Sequence, residues 1–259
     1  MKKASFAALL YREGLLVKKS LLINAISSIC MLTIVVLVLL SFRYGNLALI
    51  FKDSGMVTED AQAFITAMSE AMKYMSVFSV SISGLLAADA TARDVKKPVW
   101  EHFRRSTPVS CYRIALAKTV IMTIGIAASV ALAMITINIV CYAIGDPVTE
   151  SDIALAFVIV GFASLLGAFQ SVAVAHFKSP DKAGIAMIGF MLVCAIPISP
   201  VFSGDTSLPS DTPEQRMGIM MTTINEAAVS LLPFVLFIFV AIIVLHFIIL
   251  SLVLKRREK

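Results

Sequence analysis

Charge is what this sequence has least of. Asp, Glu, Lys and Arg make up 15% of its 259 residues, against 59% apolar residues. A soluble chain of this length carries more charge and less apolar surface. Cysteine is sparse too: Cys30, Cys111, Cys141 and Cys194 are far apart, and there is no C-x-x-C. That spacing reads as four free thiols, with no disulfide or metal framework. The three histidines, His102, His176 and His246, are scattered and form no H-E-x-x-H. There is no G-x-x-x-x-G-K-[S/T] to cradle ATP phosphates and no G-x-S-x-G nucleophile elbow. The chain therefore carries no cofactor motif, and no enzyme is expected from it. Near mid-span, carboxylates are also missing: Asp89 falls near one end of a span and Glu226 near the other. A proton-driven carrier would need ionisable groups deeper than that.

What is present is long apolar runs, with a mean hydropathy of +0.91. Crossing a hydrocarbon core takes about 20 residues at roughly 1.5 Å each. Six stretches meet that need, at about 20–41, 72–90, 114–144, 153–175, 183–202 and 228–252. The expected fold is all-α: one polytopic membrane domain over 1–259. The run from Leu21 to Leu40 is too long for a signal-peptide core, and Ser41-Phe42-Arg43 is not a cleavage site. Residues 1–19 mix Phe6, Leu9, Leu10 and Leu16 with Lys2, Lys3, Arg12, Lys18 and Lys19, which suits an amphipathic interfacial helix. The span 114–144 is longer than a bilayer requires, so one end should project or tilt. Pro197, Pro200 and Pro209 break the far end of the fifth span. The last apolar region, interrupted by Asn225, Glu226 and Pro233, is too long for one crossing. It divides into a short outer piece at 215–227 and the crossing at 228–252.

Lys and Arg set the orientation. Of the 22, 18 fall in one set of segments; only Arg43, Lys52, Lys73 and Arg216 fall in the other. The first set is expected in the cytoplasm, together with both termini, in a plasma membrane. The net charge of +5 is thus accounted for by orientation, with no nucleic-acid partner.

The segment 89–118 is the most informative. Pro98 suits the first turn of a helix, and Pro108 disfavours helix just before it. Between them Val99, Trp100 and Phe103 share one face, while Glu101 and Arg105 form an i, i+4 pair beside Arg104. The expected product is a short cytoplasmic helix with an aromatic face and a basic rim, built around the chain's single tryptophan. Such an anchor suits a protein interface; the alternative is packing on lipid headgroups or under neighbouring helices.

This segment resembles the cytoplasmic loop between the second and third spans of type-2 ATP-binding-cassette (ABC) permeases. In that family an acidic residue, a short coupling helix, a Pro-(Val/Ile/Leu)-Ser motif and a lysine follow one another. Asp89 or Asp94, Trp100-Glu101, Pro108-Val109-Ser110 and Lys118 occupy those places here. The glycine that often follows the family's acidic residue is absent. The resemblance implies one half of an exporter, paired with a second permease copy or paralogue. Its coupling interface would hold Asp94, Val99, Trp100, Glu101, Phe103, Arg104 and Arg105, docked on a separate ATPase that binds the ATP. An apolar drug, a lipid-like molecule or an antimicrobial peptide would suit such a bundle. A non-transporting membrane partner, such as an immunity, assembly or sensor subunit, would use the same cytoplasmic helix without moving a substrate.

Asn24, Asn138 and Gln170 are the polar residues left inside spans. They would line a pathway or, more commonly, hydrogen-bond between helices. Gly161, Ser164 and Ala168 form a close-packing stripe on the fourth span, and His246 reads as an interfacial residue.

Overall fold

The computed structural model describes residues 6–45, 58–81, 86–96, 109–195 and 213–256. Among these there are eight α-helices, one 3-10 turn and no strand. The helices are α1 (Phe6–Arg43), α2 (Thr58–Ser81), α3 (Leu86–Lys96), α4 (Cys111–Ile144), α5 (Glu150–Phe177), α6 (Pro180–Ala195), α7 (Pro213–Leu231) and α8 (Val235–Arg256). The 3-10 turn, Leu232–Phe234, joins α7 to α8. Helices α1, α4 and α5, and the stretch Thr222–Arg256, are each long and apolar enough to cross a membrane.

The third and fourth expected spans nearly coincide with α4 and α5. The N-terminal region differs. An interfacial helix over 1–19 and a separate span from 20 were expected, yet α1 runs unbroken for 38 residues, about 57 Å. Nothing between Phe6 and Arg43 stops it: there is no proline, and Gly14 alone weakens a helix only slightly. Its first turns bury Leu9, Glu13, Leu16 and Val17 on one stripe, so they pack on the bundle in line with the span.

Of the expected second span, 72–90, the part to Ser81 is in α2 and the part from Leu86 in α3, and residues 82–85 lie outside the described residues. The end of α2 is rich in serine. Ser76, Ser79 and Ser81 each donate to a carbonyl three or four residues back, on Lys73, Ser76 and Val77. Such back-bonding loosens a helix and bends it. The fifth span is described only as the 16 residues of α6; its far part and the prolines there lie outside the described residues. The last region breaks as expected, a few residues later than 227. Pro233 lacks an N–H and crowds the carbonyl four residues back, so the helix tightens into the 3-10 turn.

Helix α5 is the centre of the bundle and touches α2, α3, α4, α6, α7 and α8. Its small-residue stripe allows this. Gly161, Ser164 and Ala168 are all buried, and Phe239 of α8 lies over Gly161. The hinge between α4 and α5 is tight. Gly145 ends α4 in the left-handed region with φ of 98°. Arg43 lies against it and donates to the carbonyls of Tyr142 and Ala143. A Cβ at Gly145 would meet that guanidinium at 3.0 Å. Thr149 and Asp152 then form a capping box that starts α5.

Candidate functional site

The densest polar cluster lies where α1 and α4 begin and α5 and α8 finish. Lys118, about two turns into α4, is turned inward and is 3% exposed. Its ammonium donates to Glu13 Oε2 at 3.0 Å and to Asp94 Oδ2 at 2.6 Å. Arg12 bridges the same two carboxylates: Nη1 lies 3.5 Å from Glu13 Oε1, and Nη2 donates to Asp94 Oδ1. Two cations and two anions from three helices thus neutralise one another. Taking such groups out of water costs several kcal/mol each unless they are paired and hydrogen-bonded, and this geometry meets that condition.

A second polar track leaves this cluster through the neighbouring residue. Thr119 Oγ1 lies 3.1 Å from His246 Nδ1. On the other side of the ring, His246 Nε2 is 3.3 Å from Ser171 Oγ. Ser171 in turn lies 3.0 Å from Thr91 Oγ1. All four residues are buried. The track joins α4, α8, α5 and α3. A Ser–His pair at this distance is the start of a nucleophile. Here Ser171 has no exposed surface and the second ring nitrogen meets a hydroxyl, not a carboxylate. The pair therefore ties helices and does not meet a substrate.

Helix α3 is the element that both networks hold. Asp94 fastens it to α1 and α4, and Thr91 fastens it to α5. Arg93 donates to Ser20 Oγ of α1 at 2.7 Å. Ala92 and Val95 pack near Ala173, Val174 and Ala183. Eleven residues are too few for a helix stable on its own, so these ties are what fix it. It leads directly into the segment 97–108.

Of the coupling-interface residues expected from sequence, Asp94 is in this cluster. Val99, Trp100, Glu101, Phe103, Arg104 and Arg105 lie outside the described residues. Asp94 is bonded to Lys118; the side chain of Asp89, the other candidate for the acidic position, lies outside the described residues. Of Pro108-Val109-Ser110, Val109 packs against the cluster around Cys111 and Leu254, and Ser110 is the residue at which α4 starts. The three span amides are not brought together. Asn24 and Gln170 are half-buried on α1 and α5. Asn138 is exposed and donates to Met134 O of its own helix at 2.8 Å, so it does not join two helices.

Two readings change. Lys118 counted with the orienting loop cations but is a buried partner. His246 is buried between helices and is not interfacial. Buried ionisable groups stand toward both ends of the bundle, Glu13 and Lys118 at one and Lys73 and Asp152 at the other. The signal for them was periodicity. Glu13 shares the stripe of Leu9, Leu16 and Val17, and His246 the stripe of Ile242 and Leu250. A lone ionisable residue on an apolar stripe implies a buried partner.

A smaller cluster marks the opposite end. Lys73 of α2 donates to Glu70 at 2.8 Å and to Asp152 of α5 at 3.3 Å. Asp152 Oδ2 also accepts from the N–H and hydroxyl of Thr149. Tyr74 donates to Asn225 Oδ1 at 3.0 Å, which fastens α7 to α2. Among the described residues no group of His, Cys, Asp and Glu is arranged to hold a metal ion. Comparison with protein-family models, with curated proteins and with solved structures finds no match to this chain.

Proposed function

We propose that this chain is the transmembrane permease subunit of an ATP-driven ABC exporter. In this reading it crosses the membrane six times with both ends in the cytoplasm. It pairs with a second permease copy or paralogue and with separate ATPase subunits, and it moves an apolar or amphipathic substrate out of the cell.

One observation supports the reading most. Helix α3, which leads into the proline-bounded segment with Trp100, is tied to α1 and α4 by the Arg12–Glu13–Asp94–Lys118 cluster and to α5 by Thr91. A force applied to residues 97–108 would pass into the spans through charged, buried contacts. A segment meant only to connect two spans has no need of such an anchorage. The side chains at 99–105 suit an ATPase surface because they combine an aromatic anchor with a basic rim.

The test is affinity isolation of the tagged chain in mild detergent, with identification of every partner. A P-loop ATPase is expected to come with it. Trp100→Ala and Glu101→Ala should release that ATPase while the chain remains inserted. Isolation without an ATPase, together with undiminished export in an ATPase-null strain, would overturn the proposal. It would leave the non-transporting membrane partner as the better reading.

A further inference from the structure

The two ends of the bundle expose opposite charges. At the end where α1 and α4 begin, the acids Glu13 and Asp94 are turned inward onto Lys118 and Arg12. Among the described residues there, Asp181 is the one exposed acid. At the other end Asp146, Glu150 and Glu226 are all exposed. Internal pairing thus consumes Glu13 and Asp94, and exposed cations outnumber exposed acids among the described residues of this end.

Three helix ends converge on that surface. Cys111, Ile114 and Ala115 of α4, Ala175 of α5, and Leu250 and Leu254 of α8 pack as one cluster. Within one turn of it stand the exposed cations Arg113, Lys178, Lys255 and Arg256. Two exposed aromatics, Tyr112 and Phe177, accompany them. Arg113 immediately precedes the apolar run of α4, Lys178 follows that of α5, and Lys255 follows that of α8. Cations that border apolar helix lie at headgroup depth, where long side chains reach outward and aromatic rings sit beside them.

We infer that this convergence of α4, α5 and α8 binds the phosphate headgroup of an anionic phospholipid. The charge is complementary, the depth matches a headgroup, and among the described residues the one exposed acid at this end, Asp181, belongs to α6 and not to these three helix ends. A soluble acidic partner would be better met by cations that project beyond the apolar helix; these stand at its margin. The inference concerns the lipid contact of this chain alone and does not depend on an ATPase or on export.

The experiment uses the full chain in phosphatidylcholine vesicles with spin-labelled phosphatidylglycerol or spin-labelled phosphatidylcholine as probes. The motionally restricted fraction reports the association of each lipid with the protein. Phosphatidylglycerol should be favoured at least about fivefold at low salt, the scale of one cation near an anionic headgroup, and much less at 1 M salt. The variant Arg113→Gln/Lys255→Gln/Arg256→Gln should lose the preference, while its phosphatidylcholine association stays the same and so reports an intact fold. Arg113→Lys/Arg256→Lys should keep it, and so should Lys18→Gln/Lys19→Gln on α1. Equal binding of the two lipids would overturn the inference. So would a preference that survives the triple glutamine variant, or one that falls equally with Lys18→Gln/Lys19→Gln.

Discussion

Among the described residues two lysines are buried, one toward each end, and they are held differently. Lys118 takes both carboxylates from other helices, Glu13 of α1 and Asp94 of α3. Lys73 takes one from its own helix, Glu70, and one from α5, Asp152. Asp152 has further donors in Thr149, so it is satisfied in part without the lysine. Among the described residues Glu13 and Asp94 keep Arg12 as their shared cation once Lys118 is removed. The first lysine joins three separate elements; the second reinforces a helix start that is already capped. Tertiary structure depends on the first far more than on the second.

Neutral replacement tests this most directly. Lys118→Met leaves the buried Glu13 and the half-buried Asp94 with one cation and should cost about 3–5 kcal/mol, read as a large drop in the thermal midpoint of the purified protein. Lys73→Met should cost about 1–2 kcal/mol, because Asp152 retains its bonds to Thr149. Equal losses would erase the distinction between the two ends. Combining Lys118→Met with Glu13→Gln should recover about 1–3 kcal/mol relative to the sum of the single changes, as a double-mutant cycle reports for groups in contact.

The polar track beside Lys118 should matter next. His246→Phe keeps much of the volume but strands the hydroxyls of Thr119 and Ser171. A loss of about 1–2 kcal/mol is expected in the same measurement. At the opposite end Tyr74→Phe removes one hydrogen bond to Asn225 and should cost about 0.6 kcal/mol. Asn138→Ala should change stability by less than about 0.5 kcal/mol, since the amide is exposed and bonds only to its own helix. A loss at Asn138 as large as at His246 would show that the exposed face of α4 packs against something other than lipid.

Much of the helical framework is legible in the residues because each helix is locally determined. Long apolar runs without proline predict α4 and α5 nearly to their ends, whereas the break before α8 falls at Pro233, several residues past the expected boundary at 227–228. The N-terminus was less legible. Its mixture of Leu and Lys looks like a helix lying flat, and only packing shows that Leu9, Glu13 and Leu16 continue the stripe of the span. The site was least legible. Glu13, Asp94 and Lys118 are 81 and 24 residues apart in sequence, and no local rule pairs them. The residues expected to form the coupling surface beyond Asp94 lie in 97–108, outside the described residues.

The residues alone determined that the chain is helical and rich in membrane-length apolar runs, because hydropathy and helix-breaking act over a few neighbours. They also placed 18 of the 22 Lys and Arg in one set of segments. Tertiary structure decided which of those charges remain on the surface. Pairing Glu13 and Asp94 with Lys118 requires α1, α3 and α4 to meet, and burial of a charge is stable only when its partner arrives from elsewhere in the fold. The scarce charges with which the sequence is read are therefore of two kinds, those that border the membrane and those that hold the helices together.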